Sequence, residues 1–246
     1  GYPVARYENF HGLPYEYDET STVITYLDVE GNPIIRSDGY STIVRTQVDG
    51  RAYDDFFYDL NGQQVQCSGG YYGLRRGYNA EGQDISLAFL DKDGHEVCTS
   101  SGYAIMTYQR DMNGTVVGKQ YFDTDGNPVR SSLGKYGEFY QRNEQGYTGQ
   151  ITYLDADGNP TPTNAGYTIL KCTYHRDGTA DTDMYFDANG NPKALSKGQY
   201  GIKRSGKANI LLDRNGNVMP CVDNLLNGFP CMVVVLGVYW ILTRPQ

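Results

Sequence analysis

The chain has 246 residues, with 29 acidic against 21 basic side chains and a formal net charge of −8. No basic cluster offsets that balance, so the phosphate-neutralising patch needed for nucleic acid is missing and that partner is excluded. Thirty glycines and ten prolines imply many turns, and 23 tyrosines exclude an aromatic-poor disordered tail.

The chain opens without methionine on Gly1-Tyr2, a dipeptide that recurs inside it, and it reads as a piece or processed form of something longer. Aliphatic side chains are too sparse for one large globular core, which points to a repeat array. The first turn signature is Asp28-Val29-Glu30-Gly31-Asn32-Pro33, preceded by Tyr26-Leu27. Weaker copies follow at Asp59 and Asp91. Strong ones come next, as Phe122-Asp123-Thr124-Asp125-Gly126-Asn127-Pro128, then from Leu154-Asp155 to Pro160 and from Phe186-Asp187 to Pro192, with a last weak copy at Asp213. The seven aspartates are spaced by 31, 32, 32, 32, 32 and 26 residues. A second set, Gly50, Gly82, Gly114, Gly146 and Gly178, keeps a spacing of 32 about half a period away. Each unit is thus expected to carry two turns.

Asp-x-x-Gly supplies a side-chain acceptor at its first position and, at its fourth, a residue able to take the left-handed conformation that closes a turn with a bulge. Ile85, Leu87 and Phe89 alternate on approach to Asp91, and Ile151 and Tyr153 do so before Asp155, at the spacing of strands about six residues long. No stretch of helical length keeps an apolar stripe of period 3.6 through the array. The expected fold is all-β: an elongated tandem array of β-hairpins in units of about 32 residues over 1–220, followed by a hydrophobic segment over 221–246.

Two columns carry the bulk. Immediately before each aspartate stand Leu27, Tyr58, Leu90, Phe122, Leu154, Phe186 and Leu212, and one position earlier stand Tyr26, Phe57, Phe89, Tyr121, Tyr153, Tyr185 and Leu211. A further column follows Gly: Tyr40, Tyr71, Tyr103 and Tyr167, with Tyr136 and Tyr200 displaced by one residue. These six tyrosines are the candidate carbohydrate-binding residues, since a phenol ring can stack on a sugar while its hydroxyl hydrogen-bonds. The alternative is that the columns stack on one another. A unit of 32 residues cannot bury its own apolar face, so stability must come from neighbouring units.

The repeated [Tyr/Phe/Leu]-[Leu/Phe]-Asp-x-x-Gly-Asn-Pro copies, alternating with Gly-Tyr strands, resemble the tandem tyrosine/aspartate hairpin repeats of bacterial surface and secreted proteins, the YD or RHS-type repeats. They are also similar to glucan- and choline-binding cell-wall repeats. The tryptophans that cage choline in the latter have no counterpart here, because Trp240 lies outside the array. The likeness covers roughly residues 15–219 and implies an extracellular module, with cell-wall polysaccharide or another surface protein as partner.

Residues 224–243 carry no charge, and 229–242 are almost continuously apolar. As a helix they would cross the hydrocarbon core, with Tyr239 and Trp240 at the interface and Arg244 inside, leaving the repeats on the outer face. The competing reading is a buried terminal strand. The first predicts a transmembrane anchor over 224–243.

No catalytic chemistry is expected. Asp123-x-Asp125 and Asp155-x-Asp157 open like calcium loops, but Gly134 and Gly166 stand where the bidentate glutamate belongs and proline sits at the sixth position. His11, His95 and His175 lack ligand spacing for zinc, the five cysteines form no evident framework, and no nucleophile elbow, Walker loop or Rossmann pattern occurs. No metal site and no cofactor is expected. The reading is a non-enzymatic repeat module for surface display, spacing or wall-glycan binding, membrane-anchored or secreted. The alternative is the appendage of a membrane-bound enzyme whose catalytic domain lies beyond Gln246.

Overall fold

The computed structural model describes residues 15–17, 21–206 and 208–220. The chain is all-β, and no helix occurs among the described residues. It divides into two compact units meeting between Ser132 and Leu133. The first contains β1 (Tyr15–Tyr17), β2 (Ser21–Thr25), β3 (Thr42–Val48), β4 (Arg51–Tyr58), β5 (Gly73–Tyr78), β6 (Asp84–Leu90), β7 (Ile105–Arg110) and β8 (Val116–Phe122). The second contains β9 (Gly137–Arg142), β10 (Thr148–Leu154), β11 (Ile169–Tyr174), β12 (Ala180–Phe186), β13 (Gly201–Ser205) and β14 (Ala208–Leu212). Within each unit every strand pairs antiparallel with the next in sequence. The proposed anchor over 224–243 lies outside the described residues.

Each repeat has three turns rather than two. The long hairpins are closed by the second glycine set. Val48 pairs with Arg51 across Asp49 (φ 51°) and Gly50 (φ 72°), and two left-handed residues are what a two-residue type I′ turn requires. In the next hairpins the loop gains residues: Asn79 N–H donates to Gln83 O, and Gly82 N–H to Asn79 O.

The Asp-x-x-Gly turns instead fold the strand end back on itself for one isolated bridge, as in Tyr58 with Gln64 or Leu154 with Pro160. Their side-chain logic is as the sequence suggests. Asp123 Oδ1 accepts from the N–H groups of Asp125 (3.0 Å) and Asn127 (2.8 Å), and Asp59 and Asp187 make the same pair of contacts. These backbone donors hold the Asp123 carboxyl below the ordinary value. Gly126 (φ 80°) and Gly158 (φ 84°) close two of the turns, and a Cβ added at either would meet no atom within 4 Å. Replacing Gly126 or Gly158 with Val therefore tests backbone strain alone. Each variant should lose about 1–2 kcal/mol in urea unfolding, and an unchanged midpoint would contradict the left-handed requirement.

The third turn precedes the Gly-Tyr strands. Gly39 (φ 96°), Gly70 (φ 87°) and Gly102 (φ 87°) donate their N–H groups to the carbonyls of Arg36, Cys67 and Thr99. Successive third turns also bond to each other: Ser68 N–H to Asp38 O, Ser100 N–H to Gly69 O and Ser132 N–H to Ser101 O in the first unit, and Asn164 N–H to Leu133 O in the second. This turn-to-turn ladder runs beside the strands and links successive repeats within each unit at these points.

Size alternates where the strands begin. The backbone pairs are Ser41 with Tyr58, Tyr72 with Leu90 and Ala104 with Phe122, then Tyr136 with Leu154, Thr168 with Phe186 and Tyr200 with Leu212. A small residue stands against an aromatic one, then a tyrosine against a leucine. At this level the repeat is two units long. Leu90 and Ala104 are wholly buried as a result, and Leu212 nearly so.

Candidate functional site

The core of the first unit is a continuous file of seven aromatic rings. Tyr26, Phe57, Phe89 and Tyr121, from the column before the aspartates, alternate with Tyr40, Tyr71 and Tyr103 from the Gly-Tyr column. Neighbouring centroids lie 6.0, 4.4, 5.9, 4.8, 5.7 and 4.5 Å apart, from parallel stacking at Tyr40–Phe57 to edge-to-face at Phe89–Tyr103. Arg36 lays its guanidinium 4.4 Å from the Tyr26 ring and 5.4 Å from that of Tyr40. The second unit holds a shorter file, Tyr153–Tyr167–Tyr185, at 5.5 and 4.8 Å. Burial pushes the phenols of Tyr40, Tyr71 and Tyr153 far above their usual range, and that of Tyr185 up to about 12.

Four of the six candidate tyrosines are thus brought into these files: Tyr40, Tyr71 and Tyr103 in the first, Tyr167 in the second. Each lies between two other rings. Tyr136 and Tyr200 do not occupy that position, which is taken by Lys135 and Gln199, 32 residues from Tyr103 and Tyr167 respectively. Lys135 is 6% exposed, sets its Nζ 4.7 Å from the centre of the Tyr153 ring and pairs with Glu138. Glu138 itself stands where other copies carry Leu74, Met106, Leu170 and Ile202, so a buried ion pair replaces a tyrosine and an aliphatic side chain together.

Beside the first ring file the sheet carries charge. Asp55, on β4, is 2% exposed and receives Arg45 Nε and Nη2 at 2.7 and 2.9 Å from β3, and Arg76 Nη2 at 2.8 Å from β5. Burial alone would raise the Asp55 carboxyl, but hydrogen bonds from the two guanidiniums outweigh it and the net shift is downward. The same position in other repeats holds Ile24, Leu87, Lys119, Ile151 and Asp183. Asp183 keeps one such partner, Arg204 at 2.5 Å, while its cross-strand neighbour is Cys172, whose thiol burial pushes up to about 12.

The Asp55 triad forms one wall of a cleft of about 340 Å³ in the first unit. Tyr40, Phe57, Tyr71 and Leu74 supply its apolar side, and Asp38, Ser68 and Gly69 of the third turns form its rim. Cys67, also in the lining, occupies the turn position filled elsewhere by Thr99 and Thr163, whose hydroxyls donate to the carbonyls of Tyr103 and Tyr167. It is free and 7% exposed. The sequence pattern passes over this cleft because its charged residues lie in strands at a position that varies between apolar and charged from repeat to repeat, outside the regular turn spacing.

No grouping of His, Cys, Asp or Glu suited to a metal occurs among the described residues. No protein-family model matches the chain, and no curated protein matches it either.

Proposed function

We propose that the chain is a non-enzymatic extracellular repeat module of the tyrosine/aspartate hairpin kind, serving to space or display an attached element at a bacterial surface. The observation that carries this reading is the ring file: Tyr40, Tyr71 and Tyr103 have neighbouring rings on both sides. A sugar stacks on an open aromatic face, so these rings serve cohesion between repeats better than capture of a glycan. A chain of short-range contacts from repeat to repeat suits a spacer, because length can be set by repeat number. In this reading residues 224–243 anchor the module in the membrane, with the repeats outside.

Co-sedimentation with peptidoglycan or insoluble glucan tests the role of the tyrosines. Tyr103→Ala and Tyr167→Ala should lower the melting temperature and leave any wall-binding of the folded fraction unchanged. Loss of wall-binding in a variant that melts like wild type would return the tyrosines to a glycan site and overturn the spacer reading.

A further inference from the structure

Elsewhere the chain closes the same hairpin without a carboxylate at this strand position. Leu87 and Ile151 occupy the equivalent strand position, opposite Arg76 and Tyr140 respectively, and their repeats close the same hairpins. A buried ion cluster is seldom more stabilising than apolar residues of similar size, so three ions in one repeat, against the single Asp183–Arg204 pair in another, call for another reason. Its charge is also unbalanced. Two guanidiniums face one carboxylate, and the nearby Asp38 is already paired with Arg36 at 3.3 Å. Arg45 spends Nε and Nη2 on Asp55, leaving Nη1 uncommitted among the described residues. Arg76 Nη1 is buried there with no hydrogen-bond partner, a costly state for a charged donor.

From these features we infer that the cleft beside Asp55 binds a small carboxylate carried on a body the size of one six-membered ring, independently of any wall-binding. The planar guanidinium fork matches a carboxylate, which would take the Nη1 donor of Arg45, with the positive charge of Arg76 beside it, since Arg76 Nη1 itself is closed to solvent. The body would fill the cleft beside Tyr40, Tyr71 and Leu74 without stacking on the tyrosine faces, which meet other rings, and about 340 Å³ is at the lower end of small-molecule pockets. Asp38 and the buried Asp55 disfavour a second negative charge, so a monocarboxylate fits better than a dianion.

Titration of the full chain with glucuronate and with benzoate, read by amide and arginine side-chain NMR shifts at low ionic strength, tests the site. Glucose and benzamide are the neutral counterparts. Saturable shifts at Ser68, Gly69, Arg45 and Arg76 are expected with at least one acid, and about tenfold weaker or absent binding with its neutral counterpart. Binding of glucuronate alone identifies a sugar acid, and binding of benzoate alone an aromatic acid. Arg45→Gln and Arg76→Gln should each weaken binding about tenfold. Should a variant fail to fold, the acid-against-neutral comparison on wild type still decides. No saturable shift with either acid, or equal binding of the neutral partners, would overturn the inference.

Discussion

Phe57→Ala should lower the unfolding free energy by about 3–5 kcal/mol, the usual loss for a buried aromatic ring. Phe57 is 3% exposed, stacks on Tyr40 at 4.4 Å and meets Tyr71 at 5.9 Å. It also packs in one cluster with Ile24, Ile43 and Cys67, so its removal opens a cavity and parts the ring file at its most parallel contact. Because a domain's whole stability is of order 5–15 kcal/mol, this single truncation would bring the first unit close to unfolding. Phe57→Tyr supplies the contrast: Tyr121, Tyr153 and Tyr185 hold the same place in other repeats, and the change should cost less than about 1.5 kcal/mol. Urea midpoints for the two variants check both figures. An alanine variant within about 0.5 kcal/mol of wild type would mean that the file is not the core.

Much of this architecture is legible in the residues because turn chemistry is local. Asp123 Oδ1 reaches N–H groups two and four residues on, and Gly126 takes positive φ, whatever the rest of the chain does. What the sequence hides depends on distance. The third turn is marked only by the glycine before Tyr40 or Tyr71, and its partners are carbonyls one repeat away, such as Asp38 O for Ser68 N–H. A search at a period of 32 likewise aligns Tyr72 with Ala104 as if they were exchangeable, whereas each is sized to the Leu90 or Phe122 opposite it. The tyrosine column reads equally well as a ligand face or a core, because a ring's periodicity does not reveal what covers it. Only the intercalation of Tyr71 between Phe57 and Phe89 separates the two, and it joins residues from three strand ends. The Asp55 triad is the opposite case: its position varies between apolar and charged, from Leu87 and Ile151 to Lys119 and Asp183, and only the convergence of two arginines from neighbouring strands sets it apart.

That departure can be weighed directly. Asp55→Ala removes the carboxylate and leaves Arg45 and Arg76 facing a gap, with their side chains only 30% and 22% exposed. A fully buried pair broken in this way loses about 3–5 kcal/mol, and partial solvent access to the arginines should reduce that to about 2–3 kcal/mol. Substituting all three positions together, Arg45→Tyr with Asp55→Ile and Arg76→Cys, gives the site the residues of the Tyr140–Ile151 repeat, where Cys172 holds the third place, and leaves no charge unpaired. The triple variant should unfold within about 1 kcal/mol of wild type, or later, because the desolvation cost of three ions disappears along with their attraction. Urea unfolding of the single and triple variants gives both values on one scale. If the triple variant is as unstable as Asp55→Ala, the charges belong to the scaffold of the first unit. If it is stable while Asp55→Ala is not, the cluster is a costly insertion into an apolar frame, retained for what it holds in the cleft.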